Sequence, residues 1–281
     1  MRSLQTKTIF ATLFALVALT AGGAVVFLWS GVYNVAASSQ HTQLVYSVLE
    51  YAMQRSVGLR ASHIEAPPLT SPAMFERGAM CYQDRCEQCH AGPGVAAHDV
   101  ALGMQPVPGP LMNAHMRWKP RELFWITRNG ITMSGMPAWS FQLSDGDIWA
   151  LVAFIERLPY LSPAEYRAIM ARHAGQQCGV PGGSIAKPNG DAARGHSALS
   201  QYGCIACHKI PGLTGADVHV GPPLGGIARR VLIAGELANT PDNMVRWLRN
   251  PKSIDPLTAM PDLGVTERDA RDMAAYLATL W

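Results

Sequence analysis

Cys86-Glu87-Gln88-Cys89-His90 and Cys204-Ile205-Ala206-Cys207-His208 are two copies of one pattern, C-x-x-C-H, in a chain of 281 residues. At this content of Cys and His, about 0.004 such matches are expected by chance, so the pair is no accident. Each copy brings two thiols and an imidazole onto one helical turn. A four-Cys zinc site wants its pairs about 15–20 residues apart, but 114 residues separate Cys89 from Cys204. A thioredoxin-like motif needs neither the His nor a second copy, and a structural disulfide does not demand a following His twice. Covalent haem attachment does fit. Each sulfur adds across a vinyl group to form a thioether, and His90 or His208 sits under the iron as proximal ligand.

The motifs lie in an internal repeat. Unit one reads as a helix over 75–86, the motif, a Pro/Gly-rich loop, Gly135-Met136-Pro137, and a closing helix over 145–158. Unit two runs in the same order: a helix over 191–204, the motif, a loop, Ala259-Met260-Pro261, and a helix over 267–280. Both closing helices start with a capping-box pattern, Ser144-x-x-Asp147 and Thr266-x-x-Asp269, with Asp where Glu is commoner.

A Met opposite the His fills the sixth iron site and raises the potential. The chain has 13 Met, most of which suit the core as flexible fillers. Met136 and Met260 stand out because each precedes a Pro shortly before the closing helix. The Pro restricts the backbone on both sides and keeps the loop extended. Met133 is the second choice in unit one.

Residues 9–33 are 25 residues without a charge, about 38 Å as a helix against a hydrocarbon core of about 30 Å. Arg2 and Lys7 precede the run, and no Lys or Arg follows until Arg55. The positive-inside rule puts the N-terminus in the cytoplasm and the rest outside. A cleaved signal peptide, with Val35-Ala36-Ala37 as its cleavage site, is the other reading, but its apolar core is usually 7–15 residues. Residues 42–60 carry Leu44, Val45, Val48, Leu49, Ala52 and Met53 near helical spacing. They form a helix that packs on its own domain or along the membrane, or that docks a partner subunit.

The remaining cysteines, Cys81 and Cys178, form a disulfide in an oxidising compartment or remain separate thiols. Residues 171–190 are rich in Gly and Pro and read as the interdomain linker. Charge excludes one class of function. The net charge is +3, spread without a single-sign segment, which is unlike a nucleic-acid binder.

This order of elements resembles the class I c-type cytochromes, all-helical domains each wrapped on one haem. The resemblance implies an all-α chain: an N-terminal transmembrane anchor (1–33), a helical connector (34–70), a first cytochrome c domain (71–170), a linker (171–185) and a second cytochrome c domain (186–281). It implies two covalently attached haem c groups, ligated by His90 with Met136 and by His208 with Met260. In that family a Gly eight residues before the first Cys lets the first and last helices cross. Gly78 fits, with Tyr82 facing Leu151 and Phe154. In unit two Gly195 lies nine residues before Cys204, Leu199 replaces the aromatic, and Met273 and Tyr276 form the facing surface. A proline carbonyl in Gly221-Pro222-Pro223-Leu224 orients His208 through its Nδ1–H, naming Pro222. Pro108-Gly109-Pro110-Leu111 is the counterpart in unit one. Arg229, Arg230 and Trp247 are candidate donors to the second haem's propionates, since a buried propionate needs paired donors. Arg128 and Trp139 are the candidates in unit one.

The expected function is single-electron transfer in a respiratory chain, on the periplasmic side of a bacterial cytoplasmic membrane. The redox partner is a terminal oxidase, a quinol-oxidising complex or a dehydrogenase. No nucleic acid and no small-molecule substrate is expected. Two rivals stand beside this reading: the cytochrome subunit of a membrane-bound dehydrogenase, and a dihaem peroxidase with one open iron.

Overall fold

The computed structural model describes residues 2–179 and 190–281. The chain is mostly helical, as the pattern predicts. Helix α1 (Arg2–Ser30) is 29 residues long, and its apolar stretch Gln5–Ser30 is wholly unburied by the rest of the chain. Its length exceeds an apolar membrane core. The Thr20 hydroxyl donates to the Leu16 carbonyl one turn back, which satisfies it inside the helix. A folded turn follows. Asn34 Nδ2 donates to Ser39 Oγ at 2.8 Å, and Tyr33 Oη meets His41 Nδ1 at 2.5 Å. Helix α2 (Gln43–Arg60) then runs to the first unit.

In that unit α3 (Pro72–Arg85) starts three residues earlier than expected, because Pro72 occupies its first turn, where a missing N–H costs nothing. Helices α4 (Pro120–Asn129), α5 (Asp145–Arg157) and α6 (Pro163–His173) complete the unit. α3 crosses α5 at Gly78, where any Cβ would overlap the Ala150 carbonyl. Tyr82 and Phe75 of α3 meet Phe154 at 5.3 and 5.2 Å between ring centres. Phe124 of α4 stacks on Trp149 at 4.2 Å. The Ser144/Asp147 capping box forms in full at the start of α5. Cys81 and Cys178 are joined in a disulfide, with Cα atoms 4.6 Å apart. The Cys178 N–H also donates to Asp84 Oδ2 at 2.9 Å, tying this strand of chain to α3. Of the expected linker, residues 180–185 lie outside the described residues.

The second unit has its own buried cluster. Helix α7 (Ala192–Gln201) is capped by Asp191, whose carboxylate accepts from Ala193 and Arg194 N–H groups. It crosses α9 (Glu267–Leu277) at Gly195, where a Cβ would overlap the Asp272 carbonyl. The ninth residue of spacing has a simple origin. α3 runs straight into Cys86, whereas α7 stops at Gln201 and Gly203 turns at φ +70 before Cys204. The extra residue is spent in that turn, so both crossings are kept. Leu199 and Met273 fill the place of the aromatic pair, both fully buried. Asp272 is buried too, and it is satisfied by Asp191 N–H at 2.7 Å and Arg194 Nε at 2.9 Å. Thr266 caps α9 through the Asp269 N–H. Helix α8 (Pro241–Arg249) carries Trp247 into the core. A short hairpin, β1 (Leu232–Ile233) with β2 (Leu237–Ala238), is a small addition to the helical fold. Its turn has Ala234 and Gly235 at positive φ, which closes two strands tightly.

Candidate functional site

Both motifs are wound into single turns. His90 N–H donates to Cys86 C=O at 2.8 Å, and His208 N–H to Cys204 C=O at 3.0 Å. That winding puts each His beside its two sulfurs. Cys86, Cys89, Cys204 and Cys207 all remain free thiols, while Cys81 and Cys178 pair with each other. The Cys86 thiol is pushed up to about 12 by burial, helped by the nearby Cys89 and Asp84, so it is neutral at pH 7.

The imidazoles are oriented alike. His90 Nδ1 lies 2.8 Å from Gly109 O, and His208 Nδ1 lies 2.8 Å from Pro222 O. A carbonyl only accepts, so each Nδ1 carries the proton and each Nε2 keeps its lone pair. Gly109 and Pro222 both stand two residues before a Leu and directly before a Pro. The acceptor is set by loop position, because any residue supplies a carbonyl. Burial lowers the His90 pKa, and the bond to Gly109 opposes that in part. Gly221 lies on the face of His208, where a Cβ would come 2.5 Å from Cε1.

The two Met-Pro loops are built alike. Ser134 Oγ accepts from Met136 N–H at 3.2 Å, and Thr258 Oγ1 from Met260 N–H at 3.3 Å. Both Met side chains are half-buried, and Met260 packs on the second core. Met133 instead is 93% exposed at φ 62, turned out of the fold. A cavity of about 420 Å³ opens beside His208, with Ile205, Leu213, Ala216 and Pro223 among its lining. Free thiols, a pre-oriented imidazole and an apolar cavity are a donor set that fits a covalently held haem.

The candidate propionate donors are scattered. Trp247 is buried in α8, while Arg229 and Arg230 are exposed. Arg230 Nη2 donates to Pro223 O at 2.5 Å, beside the loop that orients His208. Arg128 is engaged by Asp145 at 2.9 Å, and Trp139 lies beneath Arg85 at 5.9 Å.

One support was invisible in the repeat. Tyr166 of α6 donates to Glu87 Oε1 inside the first motif at 2.7 Å. Tyr82 donates to Ala91 O just after it, also at 2.7 Å. Burial raises the pKa of both phenols, which keeps them donors. Tyr166 lies outside the stretch that the two units share, from the first helix to the closing helix, so comparing the units gives no signal for it.

Residues 73–155 match the family model described as cytochrome c oxidase, cbb3-type, subunit III. Residues 192–281 match the model described as cytochrome c. A cytochrome c oxidase subunit 2 from Alkalihalophilus pseudofirmus is 34% identical over 92 residues, which is 32% of this chain and 25% of that protein. The chain thus spans about a quarter of that relative's length.

Proposed function

We propose that this chain, a c-type cytochrome with two haem-binding domains, carries single electrons on the periplasmic side of a bacterial membrane, towards a terminal oxidase. The domains imply covalently bound haem c and electron transfer. The finer reading is a 1–33 anchor, a 34–70 connector, domains over 71–170 and 186–281 joined by 171–185, and one haem in each domain. Two separate buried clusters support that division.

The observation that carries the reading is the matched pair of Nδ1–H···O=C bonds at His90 and His208. Each leaves Nε2 free to ligate an iron, and each unit has a half-buried Met held by a hydroxyl. When bound, the group would supply an iron that alternates between ferrous and ferric states. Cys86 and Cys89, or Cys204 and Cys207, would hold it, with His90 and Met136, or His208 and Met260, as its ligands. Ligands supplied by the chain would need no exchange, which suits electron transfer. Pro222 and Gly109 orient the imidazoles; Arg229, Arg230 and Trp247 are the candidate propionate donors in the second domain, with Arg230 bonded to the loop that orients His208. The oxidase as partner is supported by the family matched at residues 73–155 and by the oxidase-subunit relative. The unburied α1, with Arg2 and Lys7 before it, supports the anchor and its orientation.

Visible spectra of the purified protein, oxidised and reduced, with and without carbon monoxide, test this. Two haems per chain and little change with carbon monoxide are expected. Rapid carbon monoxide binding by half of the haem would overturn one Met ligand and turn the search to catalysis.

A further inference from the structure

We propose that α2 lies along the bilayer surface, with its outer side in the lipid interface. The inference rests on α1 being the membrane anchor. Winding at 100° per residue puts Leu44, Val48, Tyr51 and Leu59 on one side of α2. These four side chains are between 59% and 74% exposed. The opposite side is the one that meets the first domain. There Val57 is 2% exposed and Glu50 pairs with Arg117. The helix therefore has apolar residues on both sides: Val45, Met53 and Val57 are the less exposed ones, while the stripe of Leu44, Val48, Tyr51 and Leu59 faces away from the first domain.

The connection between α1 and α2 points to what covers that stripe. The chain between α1 and α2 folds back on itself. Tyr33, just past the end of α1, contacts His41 at 2.5 Å with the rings stacked 6.2 Å apart. The start of α2 thus returns to the level where α1 ends, which is the edge of the apolar core if α1 spans it. A stripe of Leu, Val and Tyr at that depth buries apolar area in the acyl boundary, the ordinary basis of interfacial binding. Arg55 falls within the stripe, and its long stem lets the charge reach the headgroups. The first domain, seated on the other side of α2, is held at a set height above the membrane.

The test uses the full haem-loaded chain in vesicles of phosphatidylcholine and phosphatidylglycerol. Nitroxide labels are placed by Leu19→Cys, Val48→Cys, Tyr51→Cys and Gln54→Cys, one at a time. With the motif cysteines in thioethers and Cys81 bonded to Cys178, each new thiol is the one that labels. Collision with oxygen, which partitions into lipid, is compared with a water-soluble nickel chelate. The expected oxygen-to-nickel ratio at 48 and 51 is severalfold that at 54, and is highest at 19. Equal ratios at 48, 51 and 54, with 19 still deep, would overturn the proposal and leave the anchor standing. Shielding of 48 and 51 from both reagents would overturn it in favour of a protein partner or a second copy. A water-exposed 19 would overturn the anchor itself.

Discussion

Gly78→Ala should destabilise the first domain although it improves helix propensity. A Cβ at Gly78 would overlap the Ala150 carbonyl oxygen and come 2.8 Å from Phe154 Cβ. The obstacle is backbone, so no rotamer change relieves it, and α3 and α5 must move apart. Overpacking of this kind costs up to about 3 kcal/mol, offset by about 1 kcal/mol of helix propensity. The net loss is about 2 kcal/mol, or roughly 8–16 °C for a domain near 100 residues. Calorimetry of the full holoprotein reads it as a fall in one transition. Gly195→Ala, which meets the Asp272 carbonyl, should lower the other transition and so assign the two. Gly146 is the control: a Cβ there meets nothing nearer than Ser144 Oγ at 3.7 Å. Gly146→Ala should be neutral or stabilising by a few tenths of a kcal/mol. If Gly78→Ala melts with the wild type, the close crossing does not exist and the reasoning fails.

Replacing Cys81 and Cys178 together by Ser opens a 97-residue loop and should cost the first domain about 2–5 kcal/mol; an unchanged first transition in calorimetry would refute it. Burial alone would raise the Asp147 carboxyl, but bonds from Arg77 and Ser144 outweigh it and hold the pKa below its usual 3.8. The stabilisation is therefore full above about pH 4 and is lost as pH falls through the folded value. Asp147→Asn should cost about 1 kcal/mol at pH 7, and urea titrations should show that gap shrinking below about pH 4.

Much of the site was legible because its chemistry needs residue types at short range. Two sulfurs and an imidazole must share a turn, so C-x-x-C-H shows in any sequence that has it. Met136 and Met260 stand out as candidates in sequence through the Pro that follows each. Met133 is a rival in sequence that the fold turns outward, since exposure has no local signature three residues from a half-buried Met. Pro222 was legible as an acceptor. Gly109 was not singled out within Pro108-Gly109-Pro110-Leu111, because a carbonyl carries no residue identity. The Arg and Trp candidates show the same limit. Arg128 reads as a candidate propionate donor in sequence, and only the fold reveals Asp145 beside it.

By itself the sequence determined the helical class, the repeat, the two C-x-x-C-H motifs and an apolar N-terminal helix. All of these are local patterns of spacing and composition, written within a turn or a run of residues. Tertiary structure decided what depends on distant residues meeting. It joined Cys81 to Cys178 across 97 residues, where the sequence left two thiols or one bond equally open. It kept the second helix crossing at Gly195 by absorbing an extra residue at Gly203. It brought Tyr166 onto Glu87 from 79 residues away. Contact between remote segments is a property of packing, and packing is settled only when every face has found its partner.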